Sequence, residues 1–361
     1  MTIIFGLLPT KRREPFSPTV SIIVPVYNEE KYIGETIRRL VQNEYPSNKR
    51  EIIVVNTGST DRTWDEIKPF VDKGYIIGIN IIERKSKREA VYEGLKIAKG
   101  EITILVDSDS FLEPTAIKEI VKPFKDPKVG AVAGNIKVAN PQSFLRKFQD
   151  SFYHWNFEFV MKTQGRFGAV ACCGGPFAAY RTSRLKEVAE QWKNETFFGY
   201  PATFGDDRDL TLRFFKNYDV VFAPEAVAYV NVPDTFHKFI KQLIRWKKGW
   251  IRNTAKMIKS FYVKSPVIAL YNYAMLILSY TLPFSALYFL LIRPLVFAEV
   301  SWLFLGVTLS TGMVCALHQK VLNSSESWKY RILSSLFFLL AYPVLTFYAL
   351  FTVKDSSWGT R

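Results

Sequence analysis

Apolar positions along the chain fall into two regimes that meet near Lys264. Before it, short β-rich runs alternate with windows whose apolar residues recur at helical spacing. The runs 20–26, 51–56, 75–82 and 101–106 predict strands, and 30–42, 62–71, 87–98 and 114–124 predict amphipathic helices. Strand, helix, strand at this spacing predicts an α/β domain with a mostly parallel central sheet and helices on both faces. Ligands of such Rossmann-like sheets bind beyond the carboxyl ends of the strands. After Lys264 come three apolar stretches, 266–292, 294–317 and 332–353, with almost no charge inside. Each exceeds the roughly eighteen residues that mark a membrane-spanning helix. A buried helix of a soluble domain would need a shell that the remaining sequence cannot supply. The expected organisation is a tail at 1–18, an α/β domain at 19–234, an amphipathic interfacial helix at 235–264 and a transmembrane region at 265–361.

Charge refines this picture. The formal net charge is +15, which calls for anionic partners. The basic residues cluster just before the membrane stretches, at Lys238, Lys241, Arg245, Lys247, Lys248, Arg252, Lys256, Lys259 and Lys264. Juxtamembrane positive charge predicts the cytosolic face of a bilayer, not nucleic acid, as the partner. The opening residues are too short for a cleaved signal and run into Lys11, Arg12 and Arg13, so the catalytic domain is expected in the cytosol of a multi-pass membrane protein. Of the three cysteines, adjacent Cys172 and Cys173 are poor disulfide partners and read as small buried packing, and Cys315 lies in an apolar stretch. His154, His237 and His318 are scattered and receive no catalytic role.

Chemistry gathers at the expected strand ends. The first ends in Pro25, Tyr27, Asn28 and Glu29, the second in Asn56, Thr57, Gly58 and Ser59, the fourth in Asp107, Ser108, Asp109 and Ser110. Turn preference explains some of these residues. It does not explain two aspartates spaced by one residue after a buried apolar run. Such a pair suits a hard divalent cation, Mg2+ or Mn2+, that takes its other ligands from substrate phosphates. Neither a dinucleotide fingerprint nor a Walker motif occurs. Further on, Asp206-Asp207 offers a carboxylate for general-base work, with Arg208 or a helix N-terminus to hold its neighbour; the competing reading is a helix cap before Leu210. In the helical window from Phe236 to about Lys259, Arg245 suits a diphosphate and Trp246 a sugar face, whereas Trp250 fits membrane anchoring.

Together VSIIVPVYNEE, NTGSTDRT, LVDSDS, ACCGGPFAAYR, FGDDRDLT, QLIRW and the closing YALFTVKDSSWGTR resemble processive family 2 glycosyltransferases, in particular hyaluronan synthases and their chitin-type relatives. The resemblance runs from about Thr19 to Arg361 and implies the fold called GT-A. It implies that Pro25, Tyr27, Glu29 and Asn56 surround the nucleoside of a UDP-sugar, with Tyr27 stacking on the uracil. Lys87, Arg88 and Arg245 would approach the diphosphate, and Asp107 and Asp109 would hold donor and metal. Asp207 matches the general base. Asp206, Gln242 and Trp246 would meet the acceptor, a growing polysaccharide or a glycolipid. Trp358 to Arg361 match a tail motif of hyaluronan synthases.

Departures matter too. Asn56 and Thr57 stand where relatives commonly have two aspartates, and Lys241 replaces a frequent glutamine. Only the tail at 1–18 precedes the expected domain, so the paired N-terminal spanning helices of many relatives are not expected here, and a partner or a second copy would complete a polymer channel. Three full crossings would leave the tail outside, so 332–353, with Pro343 at its centre, is expected to kink or re-enter. Three functions follow: a processive synthase of a hyaluronan-like or chitin-like polymer, a transferase adding one sugar to a lipid phosphate or glycolipid, and a silent scaffold. Retention of Asp107, Asp109, Asp207 and Arg245 argues against the last.

Overall fold

The computed structural model describes residues 1–8, 13–322 and 326–355, so the tail motif at 358–361 lies outside the described residues. The strands are β1 Val20–Val26, β2 Arg50–Thr57, β3 Ile77–Ile81, β4 Ile102–Val106, β5 Ser110–Leu112, β6 Val129–Val138, β7 Phe177–Arg181, the small hairpin β8 Thr196–Phe197 and β9 Tyr200–Pro201, and β10 Asp219–Val230. The helices are α1 Thr2–Leu7, α2 Ile33–Val41, α3 Thr63–Asp72, α4 Lys87–Ile97, α5 Ala116–Val121, α6 Phe144–His154, α7 Lys162–Arg166, α8 Thr182–Lys193, α9 Asp206–Leu212, α10 Phe236–Phe261, α11 Pro266–Leu287, α12 Arg293–Phe297, α13 Trp302–Leu322 and α14 Arg331–Phe351. The first four strands and their helices stand within a few residues of the periodicity reading.

One sheet carries the order β3-β2-β1-β4-β7-β6-β10-β5. Its β1 to β4 ladders are parallel, as is β6 with β10, while β7 and β5 run antiparallel to their neighbours. β1 is buried along its whole length, which is why it reads as an unbroken apolar run and not an alternating one. The strand order reverses between β1 and β4, the place where such sheets open a crevice for ligands. Pairing of β1 with β4 stops at Ile23, so Pro25, which has no N–H to give, lies where that ladder has already ended.

Three helices are long and apolar enough to cross a membrane: Pro266–Phe297, Trp302–Val321 and Glu326–Phe351. The second begins eight residues later than the sequence pattern indicates. Pro294 belongs to the first helix, because a π-helical turn at Tyr288–Ile292 precedes it and relieves the hydrogen bond that proline cannot make; left-handed Ala298 then ends the helix.

α14 packs alongside α10. Phe337 lies 5.9 Å from Phe239 near one end, and the Arg252 guanidinium donates to the Val353 carbonyl at 2.7 and 3.0 Å near the other. At its start Arg331 donates to the Ser151 carbonyl at 3.2 Å. Both ends of α14 therefore bind elements on the catalytic side. The basic stripe before the membrane is also corrected: Lys247, Lys248 and Arg252 are buried, Lys256 pairs with Asp209 and Glu195, and Lys264 with Asp219. Its charge works largely inside the fold because α10 is sandwiched between the catalytic domain and α14, instead of lying bare on a bilayer.

Candidate active site

Beyond the β1 and β4 carboxyl ends lies a cavity of about 1640 Å³. Every predicted site residue borders it except Glu29 and Asn56, although the Arg88 guanidinium turns away into the core. Glu29 is buried behind the wall, its backbone N–H donating to Thr63 Oγ1 at 2.7 Å. Asn56 is buried with both ends of its amide engaged: Nδ2 donates to Asn80 at 2.7 Å and Ser59 Oγ donates to its Oδ1 at 2.5 Å. Tyr27 lines the cavity, and the Arg84 guanidinium stacks 3.3 Å above its ring. A flat cation on that face marks a platform of the size and shape that a nucleobase uses.

The carboxylates converge on one lysine. Lys87 is the first residue of α4, whose start is fixed by a reciprocal Ser86–Glu89 capping box. Its Nζ lies 2.6 Å from Asp107 Oδ1 and 3.9 Å from Asp207 Oδ1. Burial opposes the ammonium charge, yet Asp107, Asp207 and Asp206 together hold it above its ordinary value. Arg88, the next residue, is placed elsewhere than the resemblance implied. Its guanidinium donates to Asp209 at 2.9 Å and to the Trp192 carbonyl, inside the core. On a helix, adjacent side chains face directions about 100° apart, so one of the pair had to turn inward.

Asp107 and Asp109 follow β4 through a tight turn in which the Ser110 N–H donates to the Asp107 carbonyl at 3.0 Å. Burial first, and Asp107 second, push the Asp109 carboxyl up to about 6. Two neighbouring carboxylates at a strand end, one of them largely buried, fit a divalent cation that would offset their charge. Among the described residues no three His, Cys, Asp or Glu gather into a metal cage. Two carboxylates with the balance supplied by substrate phosphates is a common arrangement for Mg2+.

α9 presents the candidate base, Asp207. Its N-cap is Gly205 in the left-handed conformation, so Asp206 and Asp207 are its first two residues and neither is the cap. The positive end of the helix favours both carboxylates there. Asp207 Oδ2 accepts from the Gly175 N–H at 2.9 Å. A Cβ on Gly175 would lie 2.5 Å from Lys87 Nζ and 2.9 Å from Asp207 Oδ1, so only glycine lets the backbone approach this closely. Arg208 does not hold the pair; it lies 4.2 Å over the Trp250 ring. Burial, then Asp206, push the Asp207 carboxyl up to about 7. A carboxylate poised there is suited to take a proton near neutral pH. Transfer rate is therefore expected to fall as pH drops through about 7, where Asp207 becomes protonated and ceases to be a base. Asp206→Asn removes one cause of the rise and should move that limb to lower pH; a pH profile in which the two proteins coincide would reject the assignment.

On α10, Gln242, Arg245 and Trp246 stand at i, i+3 and i+4 and share one face. Arg245 reaches toward Asp109, whose charge it favours. Trp246 stacks on Phe152 at 6.4 Å and lines the cavity. Trp250 is wall of the same cavity, packed against the core, and not a membrane anchor. The start of α9 and this face are fixed to each other where Gly205 meets Gly249. Asn253 Nδ2 donates to both carbonyls at 2.9 and 3.0 Å. A Cβ on Gly249 would lie 2.9 Å from the Gly205 backbone. Gly249→Ala is expected to cost roughly a hundredfold in kcat, since small misplacements cost that much, while donor affinity stays within about twofold. An unchanged kcat would show that the contact does not position the base.

Sequence reading missed Gly175, Arg84, Tyr153 and Trp155. The last two belong to α6 and the π-helical turn Trp155–Met161 that follows it, whose altered winding brings Trp155, Asn156 and Phe157 all to the cavity. The aromatic run in that segment was the available signal. Cys173 is buried and fits the packing role, whereas Cys172 is half-buried and lines the cavity, its thiol pushed up to about 11 by its surroundings. His154 and His318 are not scattered: they meet at 3.3 Å between α6 and α13.

Residues 18–249 match the family described as glycosyltransferase like family 2. An N-acetylglucosaminyltransferase of Azorhizobium caulinodans is 28% identical over 358 residues, 96% of this chain and 88% of the relative. A hyaluronan synthase of Streptococcus pyogenes is 27% identical over 358 residues, 96% of this chain and 84% of the relative. Among solved structures, the mannosyltransferase PcManGT from Pyrobaculum calidifontis, in complex with GDP-Man and Mn2+, superposes with a TM-score of 0.69 at 22% identity, covering 96% of this chain and 92% of that one. That likeness shows the GT-A fold. With the family matched over most of the chain and the same fold in the sheet, the chain belongs to glycosyltransferase family 2 and is a hexosyltransferase.

Proposed function

We propose that this transferase extends a β-linked amino-sugar polymer, hyaluronan-like or chitin-like, from UDP-sugars delivered on the cytosolic side of a membrane. One observation carries the reading: the cavity runs from Tyr27 and Asp109 past Asp207 and Trp246 to Thr311 and Tyr342 among the membrane-length helices. Its volume of about 1640 Å³ exceeds the range of roughly 300 to 1,000 Å³ typical of a single-ligand pocket. A donor and several sugars of an acceptor fit together. The names of the relatives support N-acetylglucosamine as one donor sugar. Attachment of both ends of α14 to the catalytic side supports a path that returns the tail to the cytosol.

In this reading Asp207 removes the proton of the acceptor hydroxyl as its oxygen attacks the anomeric carbon, and the bond to the diphosphate breaks on the opposite face. The proton stays on Asp207 until cavity water takes it. Lys87 and Arg245 stabilise the departing diphosphate, and Trp246 supports the acceptor ring. Asp107 and Asp109 would hold Mg2+ or Mn2+, which when bound offsets charge on the diphosphate. The apolar wall of Met275, Leu278 and Leu282 also suits the tail of a lipid-linked acceptor.

The test is incubation of the full chain in lipid with UDP-N-acetylglucosamine, UDP-glucuronate or both, with Mg2+, Mn2+ or a chelator. Polymer is expected only with metal: both donors required means hyaluronan-type chemistry, the first alone chitin-type. A single sugar on lipid would replace the polymer reading with the lipid-acceptor one, and no transfer in any arm would overturn both.

A further inference from the structure

The cavity's charges are balanced at one end and not at the other. At its reacting end Asp107, Asp109, Asp206 and Asp207 face Lys87 and Arg245, whereas Lys247 and Arg331, toward the membrane-length helices, form no ion pair with a carboxylate of the described residues. Lys247 is 5% exposed. Its Nζ donates to the Ser279 carbonyl at 3.0 Å and lies 5.4 and 5.0 Å from the rings of Tyr280 and Tyr342. Arg331 is 8% exposed; it donates to the Ser151 carbonyl and lies 5.3 Å over the Trp155 ring. Their neighbours on α10 are treated differently, Lys248 pairing with Asp355 and Lys256 with Asp209. Burying a charge without a counter-charge is costly, so a buried cation facing a cavity is suited to an anionic ligand. Burial with no anion against it draws the Lys247 ammonium down to about 8.

We propose that Lys247 and Arg331 are acceptor subsites that bind carboxylates of an anionic, uronate-containing glycan, an inference that rests on the transferase reading above and selects among its products. Arg331 and Tyr342, beside Lys247, stand eleven residues apart on α14, about 16 Å at helical rise. The cations thus meet a ligand at two separated points, each next to aromatic rings that cover sugar faces. Charges repeated along a chain of rings match that layout, whereas the single phosphate of a lipid carrier would reach one point only. A neutral polymer would leave both cations without a counter-charge.

The full chain in lipid nanodiscs tests this by binding of a labelled hexasaccharide of alternating N-acetylglucosamine and glucuronic acid against its carboxyl-reduced, neutral derivative. The charged form is expected to bind about tenfold tighter, the scale of one charge-assisted hydrogen bond. Lys247→Gln and Arg331→Gln should each remove several-fold of that preference and leave affinity for the neutral form unchanged; Arg331→Lys should restore part of it. Unaltered UDP binding verifies that the variants are folded. Equal or undetectable affinity for the two hexasaccharides overturns the proposal, as does undecaprenyl phosphate displacing the charged one with its own affinity lost in the two glutamine variants. Transfer onto neutral chitohexaose with no charge preference would remove this inference and leave the transferase reading standing, whereas no transfer to any acceptor would remove the reading itself.

Discussion

Asp207→Asn is expected to lower the rate of sugar transfer by roughly 10²- to 10⁴-fold, the usual contribution of a positioned general base, with UDP-sugar affinity unchanged. The asparagine is nearly isosteric and its Oδ1 can still accept from the Gly175 N–H, so the loop keeps its place while the proton acceptor is gone. Stability should move the other way. The carboxyl of Asp207 is raised from 3.8 to about 7 in the folded chain. Between those values the folded chain keeps a proton that the unfolded chain releases, so stability is lost as pH rises through that window, and above about 7 the full cost is present. Asparagine has no such cost. At pH 8 the variant should unfold at a temperature equal to or above that of the parent, measured by thermal scanning in detergent. A parental rate of transfer would remove Asp207 from the mechanism, and a clear drop in unfolding temperature would show that it is structural.

The acid two residues further on should behave in the opposite sense. Asp209 is 1% exposed and gathers Arg88 at 2.9 Å, Lys256 at 2.8 Å and Arg213 at 3.4 Å. These cations hold its carboxyl below the usual range against the opposing effect of burial. Removing one partner of a buried ion cluster leaves the others charged and unpaired, at a cost of about 3 to 5 kcal/mol. Asp209→Ala is therefore expected to unfold the catalytic domain, or to lower its unfolding temperature by about 6 °C or more. Loss of activity would follow from loss of structure, and UDP binding would fall with it. An Asp209→Ala protein that binds UDP and unfolds at the parental temperature would contradict the structural role. Asp206, Asp207 and Asp209 sit within one short motif, yet only the first two line the cavity.

The single sequence determined a great deal about this protein, because much of its organisation is local. Buried parallel strands read as apolar runs and amphipathic helices as a repeat of 3.6; three membrane-length stretches read from length alone. The Asp107 and Asp109 pair announced itself by position, since a strand end fixes where two residues at i and i+2 will face. Tertiary structure decided the rest. That Lys87 faces the cavity while Arg88 turns to Asp209, that Gly205 seats on Gly249, and that Lys247 and Arg331 share a cavity are matters of packing between elements tens to more than a hundred residues apart. A charge on a helix looks alike in sequence whether it meets water, a carboxylate or a cavity. Only the approach of a second element, which removes the water, settles whether that charge is stabilised, structural or left waiting for a ligand.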